Sequence, residues 1–198
     1  TMYLCDQWRD YEVLDTGDGE KLERWGKIIL RRPDPQVIWP KADPELWKKA
    51  QATYERSESG GGHWEFREKL PERWTIDLGN LKFYVKPTGF KHTGLFPEQA
   101  ANWQFMQRQI EKVSTWSRQP RILNLFAYTC AFSVAALQAG ATQVLNLDMS
   151  AGAIAIGQQN HRINGVGEGA RFLAHDLFKT WGKVTRSGPY ELVIVDPP

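Results

Sequence analysis

The chain has 198 residues, 41% of them hydrophobic and 24% charged, and carries a formal net charge of +2 at pH 7. That length fits one ordinary domain or a medium domain with a small attachment, and the composition excludes disordered and fibrous classes. A charge this small does not by itself mark a nucleic-acid binder. Cys5 and Cys130 match neither a disulfide framework nor a zinc pattern, no apolar run is long enough to span a bilayer, and the N-terminus is not built like a signal peptide. A reducing, cytoplasmic setting and no bound metal are expected.

The first 90 residues read as a small β-rich accessory domain. Strands are expected over residues 11–14 and 21–31, the second stretch broken at Gly26, on either side of the turn residues Asp15-Thr16-Gly17-Asp18-Gly19. Asp43-Pro44 offers an N-cap and a first-turn proline, and Leu46, Ala50 and Tyr54 are spaced for one apolar face, so a helix is expected through Arg56. Gly60-Gly61-Gly62 reads as a flexible loop. Residues 75–78 and 81–85 flank a two-residue Gly79-Asn80 turn, which is a hairpin signal. Trp8, Trp25, Trp39, Trp47, Trp64, Trp74, Trp103 and Trp116 favour large rings filling a shallow core; a stacking platform for bases is the competing use. Arg31, Arg32, Lys82, Lys86, Lys91 and His92 lie in or near this region, as solvated strand faces or as a local basic patch.

From Pro97 the pattern changes. Trp103, Met106, Ile110 and Val113 recur at three- and four-residue steps, predicting an amphipathic helix that ends before Pro120. Strands over 121–126, 143–147, 170–173 and 192–195 then alternate with helices over 133–139 and 151–164. This order predicts a parallel sheet joined by crossovers, an α/β domain over residues 91–198.

In such a sheet the loop after the first strand and the acid ending the second define a nucleoside pocket. Here the loop is Ala127-Tyr128-Thr129-Cys130-Ala131-Phe132 and the acid is Asp148, which can accept from both ribose hydroxyls. The loop holds no glycine, and Phe126, Tyr128 and Phe132 surround it. That bulk obstructs the pyrophosphate of a dinucleotide but suits a phosphate-free ligand such as S-adenosylmethionine, whose amino-acid end can meet amides at the next helix start. Asp176 follows the third strand, where it could accept from an adenine amine while Leu177 or Phe178 covers the ring. The chain's last strand runs into Asp196-Pro197-Pro198, which puts a carboxylate at the ligand-binding edge beside two residues that cannot continue the strand.

These residues resemble the class I S-adenosylmethionine-dependent methyltransferases related to those that modify cytosine or guanine in large-subunit ribosomal RNA. The likeness covers roughly residues 85–198. It rests on Leu123-Asn124-Leu125-Phe126 with the loop that follows, residues 144–150, Gln159 to Gly165, His175 to Phe178 and Asp196-Pro197-Pro198. It implies a Rossmann-like parallel sheet and S-adenosylmethionine as cofactor, held by Asn124, Phe126, the loop from Ala127 to Phe132, Asp148, Met149, Ser150, Asp176, Leu177 and Phe178. It also implies that Phe96 and Gln99 lie beside the cofactor, and that Asp196 and Pro197 carry the chemistry on a nucleobase of RNA. The family has glycine where Cys130 stands, so a narrowed loop or an altered backbone is expected there. Arginines that often follow Gln99 are replaced by Ala100, Ala101 and Asn102.

The family's sheet has seven strands, with the Asp-Pro-Pro strand as the fourth, so the resemblance implies about 90 further residues at about 30 per strand-helix unit, and the sheet reads as incomplete at its C-terminal side. The competing readings are a nicotinamide oxidoreductase, which also uses an acid at the second strand, and a non-catalytic RNA-binding module.

Overall fold

Turn chemistry shapes the first part of the chain. Asp18 and Gly19 both take positive φ, 51° and 76°, the combination a two-residue hairpin turn needs, and they join β1 (Tyr11–Gly17) to β2 (Glu20–Trp25). Gly26, at φ 65°, reverses the chain again into β3 (Ile28–Pro33), antiparallel to β2. The computed structural model describes residues 4–198 and divides into two compact units. One comprises Asp6–Asn80 and Tyr84–Leu95; the other comprises Leu81–Phe83 and Phe96–Pro198 with the leading Leu4 and Cys5.

In the first unit the sheet order is β1-β2-β3-β4-β5, with β4 (Ala52–Arg56) parallel to β3 and antiparallel to β5 (Gly62–Phe66). The helix expected through Arg56 is therefore corrected. Asp43 Oδ1 accepts from the Leu46 amide at 3.3 Å, but the N-cap position is Glu45, without a side-chain cap, and only a short 3-10 turn forms over Leu46–Lys49. The Gln51 amide then donates to the Ile29 carbonyl, and the Ile29 amide donates to Gln51 Oε1, at 2.8 Å each. These bonds draw the chain into the sheet, so tertiary pairing overrides a helical spacing. The strand that begins at the third of the three glycines is also new: Gly62 opens β5, where a Cβ would come within 2.1 Å of the Glu55 carbonyl oxygen. Leu22, Trp47 and Ala50 form one core cluster of this unit. The predicted hairpin is present as β6 (Trp74–Leu78) and β7 (Leu81–Val85).

In the second unit, α1 (Ala100–Val113) precedes four parallel strands in the order β10-β9-β8-β11. These are β8 (Arg121–Leu125), β9 (Gln143–Asp148), β10 (Ala170–Ala174) and β11 (Leu192–Val195). They are linked by α2 (Ala131–Gln138), α3 (Ala151–Ile163) and α4 (Leu177–Arg186). Alternation along the strands sends Leu123, Leu125 and Leu147 to one face, where they pack with Val184 of α4. It sends Asn124 and Asn146 to the other, towards α2 and α3. In register, Leu125 stands beside both Leu147 and Val195, and Asp148 beside Ala174, so all four strands end on one rim. Among the described residues no helix is long and apolar enough to cross a membrane.

Large rings divide between core and surface. Trp8, Trp25, Trp47 and Trp103 are buried, whereas Trp39, Trp116 and Trp181 are exposed, so some of the rings go into packing and others stay at the surface.

Candidate functional site

The rim is organised by one carboxylate. Asp148 ends β9, and its Oδ2 accepts from the Tyr128 amide at 2.9 Å while Oδ1 accepts from the Ser150 amide at 2.8 Å. The first bond ties the loop after β8 to the end of β9; the second helps turn the chain into α3, whose N-cap Ser150 accepts from Ala153. A carboxylate has about four acceptor positions, so two bound amides leave room for two more donors on the half-buried Asp148.

The loop itself alternates in backbone sense. Phe126, Tyr128 and Cys130 all take positive φ, at 54°, 52° and 64°, which costs a non-glycine residue roughly 1–2 kcal/mol each. The Ala127 amide donates to the Leu147 carbonyl at 3.0 Å and the Cys130 amide to the Ala127 carbonyl at 2.8 Å. Such strain persists only where the surroundings over-determine it, and it concentrates at ligand sites.

Cys130 resolves the departure noted in the sequence. Its backbone takes the left-handed conformation glycine would favour, and its side chain is fully buried with Ala127, Ile154 and Phe172. On α3, a Cβ at Gly157 would meet Cys130 Sγ at 2.5 Å. The thiol thus fills a space that α3 leaves open, rather than narrowing the rim. Burial first, and then the Asp148 charge, push its pKa far above the ordinary thiol value, so it stays protonated and is no nucleophile.

Beneath the loop runs a buried polar chain that sequence reasoning missed. Asn124 and Asn146 face each other in register, and Asn124 Nδ2 donates to Asn146 Oδ1 at 2.9 Å. Asn146 Nδ2 donates to Ser133 Oγ at 2.9 Å, and Ser133 Oγ lies 2.7 Å from His161 Nε2. At the far end His161 Nδ1 is 2.6 Å from the Gly157 carbonyl oxygen, an acceptor only. That end fixes the proton on Nδ1 and makes Nε2 the acceptor of the Ser133 hydroxyl. Burial lowers the pKa of His161 and keeps it neutral, despite the opposing Gly157 carbonyl. Asn160 Nδ2 in turn donates to the Thr129 carbonyl at 3.0 Å, holding the strained loop from α3. The signal was present as polar residues on strand faces that otherwise alternate with leucine. Asn124, expected to touch the cofactor, is 2% exposed, and its side-chain amide donates to Asn146.

Two further segments reach this rim. Phe96 sets its ring 5.2 Å from that of Tyr128, and Gln99 Nε2 donates to Asp196 Oδ2 at 3.3 Å while Gln99 Oε1 accepts from Asn102 at 2.7 Å. The segment before α1 thereby joins the loop after β8 and the acid after β11. Asn102 thereby orients the Gln99 amide.

Asp176 plays a role the sequence reading did not include. Its Oδ1 accepts from the Phe178 amide at 2.8 Å and the Lys179 amide at 3.3 Å, capping the overlooked helix α4. An acid followed by apolar Leu177, Trp181 and Val184 at helical spacing is the signal that marks this helix. Leu177 packs into the core against the leucines of β8 and β9, and Phe178 is 86% exposed. Met149, after Asp148, is likewise exposed, and Phe132 meets Trp103 edge to face.

The residues present fit a nucleoside without phosphate: a carboxylate with spare acceptor capacity, an aromatic loop in place of a glycine-rich one, and a second acid across the rim. A family model for S-adenosylmethionine-dependent methyltransferases matches residues 48–198. The chain is 31% identical over 133 residues to ribosomal RNA large subunit methyltransferase I of Aeromonas salmonicida, covering 66% of this chain and 32% of that protein. It is 35% identical over 118 residues to ribosomal RNA large subunit methyltransferase K/L of Psychrobacter arcticus, covering 58% of this chain and 14% of that protein. The solved structure of an S-adenosylmethionine-dependent methyltransferase from Agrobacterium tumefaciens superposes with a TM-score of 0.86 at 33% identity, over 96% of this chain and 61% of that one. The chain thus spans a third or less of the two ribosomal RNA enzymes.

Proposed function

The chain belongs to the S-adenosylmethionine-dependent methyltransferase family, and from that premise we propose that it forms the cofactor-binding part of an enzyme that methylates a nucleobase of RNA, ribosomal RNA by the names of its relatives. The observation that carries this reading is Asp148, held at the end of β9 by the Tyr128 and Ser150 amides with acceptor positions to spare. When bound, the cofactor supplies an electrophilic methyl group on a sulfonium.

The protein's own groups do the positioning. Asp148 takes the ribose hydroxyls, each charge-assisted bond worth about 1.5–3 kcal/mol. The Phe96 and Tyr128 rings wall the loop side, and amides of the loop and the start of α2 meet the amino-acid end. Thr129, Ala131 and Phe132 contribute through this loop, and Met149, Asp176, Leu177 and Phe178 border the base. The Gln99 amide orients Asp196, leaving its other carboxylate oxygen to accept from an exocyclic amine of the target base beside Pro197. Held so, the amine would be oriented for attack on the methyl group, and the carboxylate would disperse positive charge developing on nitrogen. Cys130 takes no part as a nucleophile, being buried and protonated.

Isothermal titration with S-adenosylhomocysteine and with NAD tests the cofactor half: binding of the first and not the second is expected, and the reverse overturns it. Transfer of a labelled methyl group to RNA tests the acceptor half. RNA binding indifferent to cofactor, with no transfer even from a chain of its relatives' full length, would mark a non-catalytic module instead.

A further inference from the structure

The sheet of the first unit gathers positive charge on one face. Cross-strand partners share a face, as do alternate residues along a strand. Lys21 pairs with Arg32, Leu30 with Ala52, and Tyr54 with Trp64, so Lys21, Arg32, Tyr54, Arg56 and Trp64 project to the same side. The segment 86–93 lies over that side. The Trp64 indole donates to the carbonyls of Thr88 and Phe90 at 2.8 and 3.0 Å, and Arg32 Nη1 donates to the Lys91 carbonyl at 3.0 Å. The segment is braced internally by Thr88, whose hydroxyl donates to the His92 carbonyl at 2.7 Å. These anchors bring Lys91 and His92 to the face that already holds Lys21, Arg32 and Arg56, and leave Phe90 71% exposed beside them.

Counter-charge is short there. Glu23 is fully buried and engaged by Arg32 through two bonds of 2.6 and 2.7 Å, and Asp34 sits 3.8 Å from Lys21. Neither Arg56 nor Lys91 forms an ion pair among the described residues. Burial, and then the neighbouring cations, lower the pKa values of both Lys91 and His92: Arg56, Lys21 and Arg32 act on the first, partly offset by Asp34, and Arg32, Lys91 and Lys21 on the second. Cations held together without matching acids favour an anion, and an exposed ring beside them offers a face to a base.

We propose that this face binds a phosphodiester of single-stranded RNA, with Arg56 and Lys91 on the phosphate and Phe90 under an adjacent base. The proposal rests on RNA as the methyl acceptor and adds a contact surface made wholly by the β-rich unit.

Fluorescence anisotropy with a labelled single-stranded RNA, over a series of salt concentrations, tests it. The Arg56→Gln/Lys91→Gln double variant should bind at least tenfold more weakly. Its plot of log affinity against log salt should be shallower by about 0.7, the share of one phosphate no longer neutralised on a single strand. Phe90→Ala should weaken binding severalfold with the salt slope unchanged. In the unmodified chain, RNA should move the His92 proton titration to higher pH, followed by NMR. The thermal unfolding midpoint of each variant shows that the fold is kept. Unchanged affinity and slope in the double variant overturn the site and leave the acceptor reading standing. Failure of the unmodified chain to bind RNA overturns it too. RNA binding that depends on Arg56 and Lys91, without methyl transfer even in a chain of its relatives' full length, upholds the site and undoes the acceptor reading.

Discussion

Gly157 and Cys130 are complementary: the thiol of Cys130 occupies the place a Cβ at Gly157 would take, 2.5 Å from where that atom would lie. A bulkier residue at 157 must displace the strained loop or move α3, because Cys130 Cβ and the Thr129 backbone also lie close, at 3.0 and 3.3 Å. Gly157→Ala should destabilise the chain by about 1–3 kcal/mol, the usual range for overpacking. Adding Cys130→Gly should restore much of that loss, since it removes the clashing sulfur and relieves a left-handed non-glycine residue. Urea unfolding of the two single variants and the double one measures the coupling. Additive effects would show that the two positions do not share the space.

On the proposed reading, Asp148 joins cofactor recognition to the loop it holds through the Tyr128 amide. Asp148→Ala should weaken S-adenosylhomocysteine binding by about 1.5–3 kcal/mol for each ribose bond lost, and it also frees the Tyr128 amide. Asp148→Asn keeps one acceptor oxygen for the loop and removes the charge, so it should fall between wild type and alanine. Calorimetry separates the three, and equal affinities would count against the ribose role.

The polar chain under the loop makes stability depend on pH. His161 is neutral in the fold, with its pKa lowered mainly by burial, so the unfolded chain binds the more protons at mildly acid pH. The contribution is therefore present above the ordinary histidine value of about 6.5 and is lost as pH falls below it, at up to about 1.4 kcal/mol per pH unit. His92 shifts in the same direction and adds to the slope. His161→Gln should flatten the dependence of unfolding free energy between about pH 7.5 and 5, leaving the His92 part. An unchanged slope would mean that His161 does not titrate on unfolding.

The four strands of the second unit could be read from the chain because each is a short, mainly apolar run bounded by turn residues, whereas α4 was overlooked because its cap, Asp176, also fits a rim position. The helical spacing of Leu46, Ala50 and Tyr54 misled because the same residues also fit a sheet, and only the pairing of Gln51 with Ile29 decides between the two. The Asn124–Asn146–Ser133–His161 chain was not legible for a related reason. Its members are far apart in sequence, and strand register alone brings them together. Asp176 shows the converse: the residue was singled out, but its amide partners mark a helix cap as well as a rim position.

Asp196 stands apart from Asp148 in what it should control. Its contact is Gln99, not the loop after β8, so Asp196→Ala should leave S-adenosylhomocysteine affinity near wild type and lower methyl transfer by roughly a hundredfold or more, the scale of losing a positioned electrostatic group. Gln99→Ala should act through Asp196: a smaller fall in transfer, with Gln99→Glu worse because it sets a like charge against the carboxylate. Single-turnover transfer measured at saturating cofactor, in a chain extended to its relatives' full length, separates these effects from binding. Equal rates in Asp196→Ala and wild type would remove Asp196 from the chemistry, whereas a fall in Gln99→Ala alone would assign the amide, and not the acid, to the target base.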